Sequence, residues 1–120
     1  KYGFITNVYC DSAEKVLIRG LKKALITANM GNIKIGDALK CKITDRIFTV
    51  TTLSASGRIL FTEDCESVQE AISMAVWDAK TTDLERLDDG TSDIDSLDAM
   101  EYSFERRINK FIRIKRGEKR

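Results

Sequence analysis

One run of residues constrains the fold of this chain more than any other. Ala13, Val16, Leu17, Leu21, Ala24, Leu25 and Ala28 recur at intervals of three and four, which puts an apolar stripe along one face of an α-helix. Asp11 with Glu14 three residues later resembles a capping box, and Gly31 offers a stop. The spacing predicts a helix from Asp11 to Met30. Gly20 lies on its apolar side, where a missing side chain would let a sheet approach closely.

Around this helix the pattern reads as strand. Tyr2 to Tyr9 is rich in aromatic and β-branched residues, the composition of a pleated, half-buried segment. From Leu39 the period becomes two: Leu39, Cys41 and Ile43 alternate with Lys40, Lys42 and Thr44. Asp45 and Arg46 offer a turn, Ile47 to Leu53 is β-branched and aromatic, and Ser54-Ala55-Ser56-Gly57 leads into Arg58 to Thr62. This predicts an antiparallel meander. Gly31 to Ala38 is a linker in which Ile33 and Ile35 could extend the meander across Gly36.

Acids at Glu63, Asp64 and Glu66 precede an apolar stripe from Val68 to Ala79, so a second helix is expected from about Cys65 to Ala79. Trp77 falls beside that stripe, at the edge of the core or toward a partner. Leu97, Met100, Phe104, Ile108 and Phe111 are again three and four apart, predicting a last helix from Ser96 to about Ile112. Ile108 to Arg116 also alternates as a strand would.

The expected architecture is α+β: a small antiparallel sheet of about four strands packed by two or three helices, in the order β-α-β-β-β-α-α. A terminal strand would turn it into a ferredoxin-like β-α-β-β-α-β arrangement. The 120 residues suit one domain. Residues 1–80 form its core, 81–98 an acidic linker with room for a short helix, and 99–120 an amphipathic helix with a basic tail.

The chain has no His. Ser-His-Asp and Cys-His nucleophiles, His-ligated zinc and imidazole bases are therefore excluded. Cys10, Cys41 and Cys65 are odd in number and widely spaced, which writes neither a disulfide framework nor a zinc knuckle. They read as free thiols. Cys10 and Cys65 stand near expected helix starts, where a thiol could be activated. No phosphate-binding or dinucleotide-binding glycine loop occurs, and no cofactor is expected. In an EF-hand register Gly90 would place Leu87 and Ser96 at ligand positions they cannot fill, so no metal is expected. Without an apolar run of membrane-spanning length or a leader before the first charges, the expectation is a cytoplasmic protein with no membrane contact.

Charge is the strongest functional signal. The formal net charge is only +1, but residues 83–98 hold seven acids and Arg86 as their one base, whereas 99–120 hold eight bases and three acids. On the first helix Lys15, Arg19, Lys22 and Lys23 line the face away from the apolar stripe. Near the C-terminus Arg106, Arg107, Lys110, Arg113, Lys115 and Arg116 repeat the arrangement more densely, a spacing suited to phosphates. The leading expectation is a small, non-enzymatic regulatory or accessory protein that binds nucleic acid or an acidic protein surface through its C-terminal helix and basic tail. In this reading Leu97, Met100, Phe104, Ile108 and Phe111 pack as core or form a seam with another chain, including a second copy. The competing readings are an inhibitor or adaptor acting through the acidic segment or a sheet edge, and an enzyme using carboxylate or Cys chemistry.

Overall fold

In a computed structural model, which describes residues 3–111, these residues form two compact units that divide between Leu39 and Lys40. The element order is β1 (Asn7–Cys10), α1 (Lys15–Thr27), β2 (Lys34–Asp37), α2 (Ile43–Ala55), α3 (Glu66–Met74), α4 (Ile94–Tyr102) and a 3-10 helix (Glu105–Arg107). The anticipated four-stranded antiparallel sheet is not what forms. Among the described residues the sheet has two strands, β1 and β2, and they are parallel, with Val8 opposite Ile35 and Tyr9 opposite Gly36.

The first unit is thus a β-α-β crossover. β2 comes from the segment read as a linker, since Ile33 and Ile35 do signal a strand, but its partner is β1 and not the residues after Leu39. α1 ends at Thr27, three residues before the expected Met30, and begins at Lys15, not Asp11. Asn29 adopts φ +57°, its N–H donates to the Ile26 carbonyl, and the Met30 N–H donates to the Leu25 carbonyl at 2.8 Å. That is a Schellman cap with asparagine in the left-handed position. Two strands spaced about 4.8 Å apart are narrower than a helix about 10 Å across. Only Ile18 of α1 is buried, while Val16 is 75% and Leu17 67% exposed.

The second unit is helical. The expected strands over Leu39 to Leu53 are replaced by α2, and the reason lies in burial. Arg46, Thr49 and Leu53 are buried at helical spacing, so packing overrides the strand preference of the β-branched residues around them. Thr49 is accommodated because its Oγ1 donates to the Asp45 carbonyl one turn back, at 2.8 Å. Ser54 to Gly57, read as a hairpin turn, is the end of this helix. Gly57 takes φ +65° and the Arg58 N–H donates to the Leu53 carbonyl at 2.8 Å, a second Schellman cap. Arg58 to Thr62 is irregular and not a strand.

α3 stops five residues before the expected Ala79. Ala75 turns extended, and Trp77 forms an antiparallel bridge with Arg86. α4 begins at Ile94, where the Asp93 side chain accepts from the Ser96 backbone N–H at 2.9 Å. The expected long helix is broken at Ser103 and Phe104, and the chain tightens into the 3-10 turn. Residues 108–111 are helical, which sets aside a strand starting at Ile108. Ile112 to Arg116 lie outside the described residues. The ferredoxin-like alternative falls with the antiparallel sheet. Among the described residues no helix is long and apolar enough to cross a membrane.

Candidate functional site

The second unit is built around five acidic and basic side chains. Arg46 of α2 and Arg86 meet Asp98 and Glu101 of α4 and Glu105 of the 3-10 helix. Glu101 and Glu105 have fully buried side chains, and those of Arg46 and Arg86 are 11% and 7% exposed. Arg86 Nη1 donates to Glu101 Oε2 at 2.9 Å and to Asp98 Oδ1 at 3.2 Å, while its Nη2 donates to Glu101 Oε1. Arg46 Nη1 approaches Glu101 Oε2 at 3.0 Å and donates to Asp98 Oδ1 at 3.1 Å. Its Nε, which is buried without a hydrogen bond, lies 3.8 Å from Glu105 Oε1.

The break in the last helix explains Glu105. Turning there brings its carboxylate to the backbone N–H groups of Lys40 (3.2 Å) and Cys41 (2.9 Å), just ahead of α2. An anion there complements the positive end of the helix dipole. Burial, and next the neighbouring Glu105 carboxylate, push the Cys41 thiol up from its ordinary value. It is therefore held as the thiol, the less nucleophilic form. All three cysteines are free and half-buried.

Beside the ionic cluster lies a cavity of about 260 Å³. Ile47, Val50, Ile72, Val76 and Leu97 supply apolar walls, and Trp77, Arg86 and Glu101 also line it. Trp77 is 46% exposed, so it stands at a cavity rim and not within the core.

The apolar residues of the last helix pack within the unit. Leu97 and Ile108 are 3% and 5% exposed, and Met100, Phe104 and Phe111 are half-buried. The Arg58 guanidinium stands 5.8 Å from the centre of the Phe111 ring, within cation–π range. With the seam turned inward, Arg106, Arg107 and Lys110 are exposed. Arg113, Lys115 and Arg116 lie outside the described residues. The lone acid from Ser103 to Phe111 is Glu105, and it is 1% exposed. The outer surface of this stretch therefore carries cations alone.

Three acids of the acidic segment, Asp89, Asp93 and Asp98, make side-chain hydrogen bonds or ion pairs. Asp98 belongs to the buried cluster, and Asp93 caps α4. Hydrogen bonds from the Ser96 side chain and then from its backbone hold the Asp93 carboxyl below the usual carboxylate range. Asp89 is lowered by the Thr91 hydroxyl and then by the Thr91 backbone N–H, which approach it at 2.6 and 3.0 Å. Among the described residues, no group of three or more His, Cys, Asp or Glu side chains is arranged to hold a metal ion.

The sequence reading missed the ionic cluster. Its signal was present: Asp98, Glu101 and Glu105 stand three and four apart, interleaved with the apolar seam. Arg46 was read as a turn residue and Arg86 as an isolated base in an acidic stretch. Comparison with protein-family models, curated proteins and solved structures finds no match.

Proposed function

We propose that this is a small, non-enzymatic regulatory or accessory protein that binds a polyanion, nucleic acid foremost, through the cationic surface of its C-terminal segment. One observation carries the reading: Glu105 is buried while Arg106, Arg107 and Lys110 are exposed. A polyanion approaching this stretch meets no exposed carboxylate belonging to it. Each phosphate neutralised releases counterions, so binding strengthens as salt falls. A cytoplasmic setting goes with this reading and suits three free thiols.

The test is binding of labelled single- and double-stranded DNA and RNA at two salt concentrations. Replacing Arg106, Arg107 and Lys110 together with Gln is expected to weaken binding and flatten the slope of log affinity against log salt by up to about 2 to 3. Truncation after Lys110 is expected to do the same through the bases that follow. Unchanged affinity and slope in both variants would overturn the reading.

A second reading, a module directed at another protein, draws on the first unit. Leu17 and Ile26 of α1 are 67% and 69% exposed, more apolar surface than a helix ordinarily leaves in water. Binding of another protein that Leu17→Ser abolishes, with no response to nucleic acid, would favour it.

A further inference from the structure

The geometry points to the cavity of the second unit as a binding site for a compact, neutral molecule with an apolar body and one carbonyl oxygen. The argument begins with Arg86, which lines that cavity with a side chain only 7% exposed. A guanidinium has one N–H at Nε and two at each Nη. Both Nη1 protons are used, on Asp98 and Glu101, and one Nη2 proton is used on Glu101. Nε–H and the second Nη2–H have no partner among the described residues. Neither is among the buried unpartnered atoms, so both are open to the cavity that Arg86 lines, and a ligand oxygen there would take the place of water on them.

Charge decides the kind of oxygen. Arg86 already shares a cluster in which Asp98, Glu101 and Glu105 outnumber two guanidinium groups. A carboxylate ligand would add a fourth anion to a buried site, whereas a ketone or amide oxygen accepts the same hydrogen bonds without that charge. The remaining lining sets the body of the ligand. Ile47, Val50, Ile72, Val76 and Leu97 offer hydrocarbon. Apolar cavities of about 150 Å³ hold benzene, so about 260 Å³ admits a six-membered ring with its carbonyl.

Trp77 makes the test direct, because it lines the cavity and is the one tryptophan of the chain. Cyclohexanone, methylcyclohexane and cyclohexanecarboxylate are titrated against the intact protein while Trp77 emission is followed. Cyclohexanone is expected to give a saturable shift, with an affinity at least about tenfold above either analogue, since about 1.4 kcal/mol corresponds to tenfold and a hydrogen bond to a charged group contributes at least that much. Val50→Phe, which fills the cavity from α2 and leaves every residue of the ionic cluster unchanged, is expected to abolish the shift. If Val50→Phe unfolds the chain, Ala75→Leu fills it from the end of α3. No saturable response to cyclohexanone would mean that the cavity holds only water and would overturn the proposal. So would equal binding of methylcyclohexane, tighter binding of the carboxylate, or a response that survives in a folded, filled variant. Polyanion binding is a separate measurement, so failure here leaves that reading standing, and the reverse holds too.

Discussion

The helix α1 and the C-terminal stretch from α4 to Phe111 have the same pattern in sequence, an apolar stripe opposite a row of bases, yet they meet different fates. In α1 one residue of the stripe is buried, and Val16 and Leu17 stay largely exposed. In the C-terminal stretch Leu97 and Ile108 are almost wholly covered. The difference lies in what each helix faces. Among the described residues α4 packs against α3 and the 3-10 helix, whereas no element packs as closely on α1. Amphipathic spacing states which face can be buried, and the opposing layer decides how much of it is.

Electrostatics sharpen the contrast. The Lys15–Asp37 pair of the first unit is close, at 2.8 Å, but its side chains are 57% and 50% exposed. Glu101 pairs with Arg46 and Arg86 out of water. Removing one partner of a buried pair strands the other. Glu101→Ala is therefore expected to destabilise the second unit by about 3 to 5 kcal/mol in urea unfolding. Lys15→Ala should cost ~0 to 1 kcal/mol. Equal losses would break the comparison.

The apolar stripes give the next largest effect. Leu97→Ala is expected to cost about 2 to 5 kcal/mol through a lost core contact and the cavity left behind. Leu17→Ala should stay within about 0.5 kcal/mol. A large loss at Leu17, read by the same urea unfolding, would show that the exposed face of α1 is covered in solution. Phe104→Ala, at a half-buried position, should fall between the two. A fall in sedimenting mass instead would assign the seam to a second copy of the chain.

The smallest effect concerns Asp93, which caps α4. Its carboxyl is held below the ordinary value of about 3.9. Because the folded value lies below the unfolded one, its contribution is complete above about pH 4 and disappears as pH falls through the lowered value. Asp93→Ala should therefore melt earlier than the parent protein at neutral pH, and the gap should close as pH falls below about 4. A gap that persisted in acid would mean that the cap acts through something other than the ionised carboxylate.

How much of this was legible in the sequence follows from range. α1 was readable because its stripe lies within one segment, although it starts at Lys15 and not Asp11, and stops at Thr27 because Asn29, not Gly31, adopts the left-handed turn. α2 was not. Its Ile, Val and Thr residues favour strands locally, and what makes them helical is burial of Arg46, Thr49 and Leu53. Alternation over Leu39 to Ile43 was equally misleading, since Lys40 and Cys41 place backbone N–H groups on Glu105, more than 60 positions along the chain. The bases at Arg106, Arg107 and Lys110 were visible as a cluster, because a charge row needs no distant partner to be noticed. The ionic cluster joins residue 46 to residues 98–105, and no local pattern announces such a pairing.

Both helical regions carry bases, so the most direct measurement asks which one a polyanion touches. Backbone amide shifts of the isotopically labelled protein are followed as a short DNA duplex is added at low salt, and the titration is repeated at higher salt. The account predicts that the amides from Ser103 to Phe111 move, that the movement fades as salt is raised, and that Lys15 to Thr27 stay in place. Movement centred on Lys15 to Thr27 with a silent C-terminal stretch would contradict it.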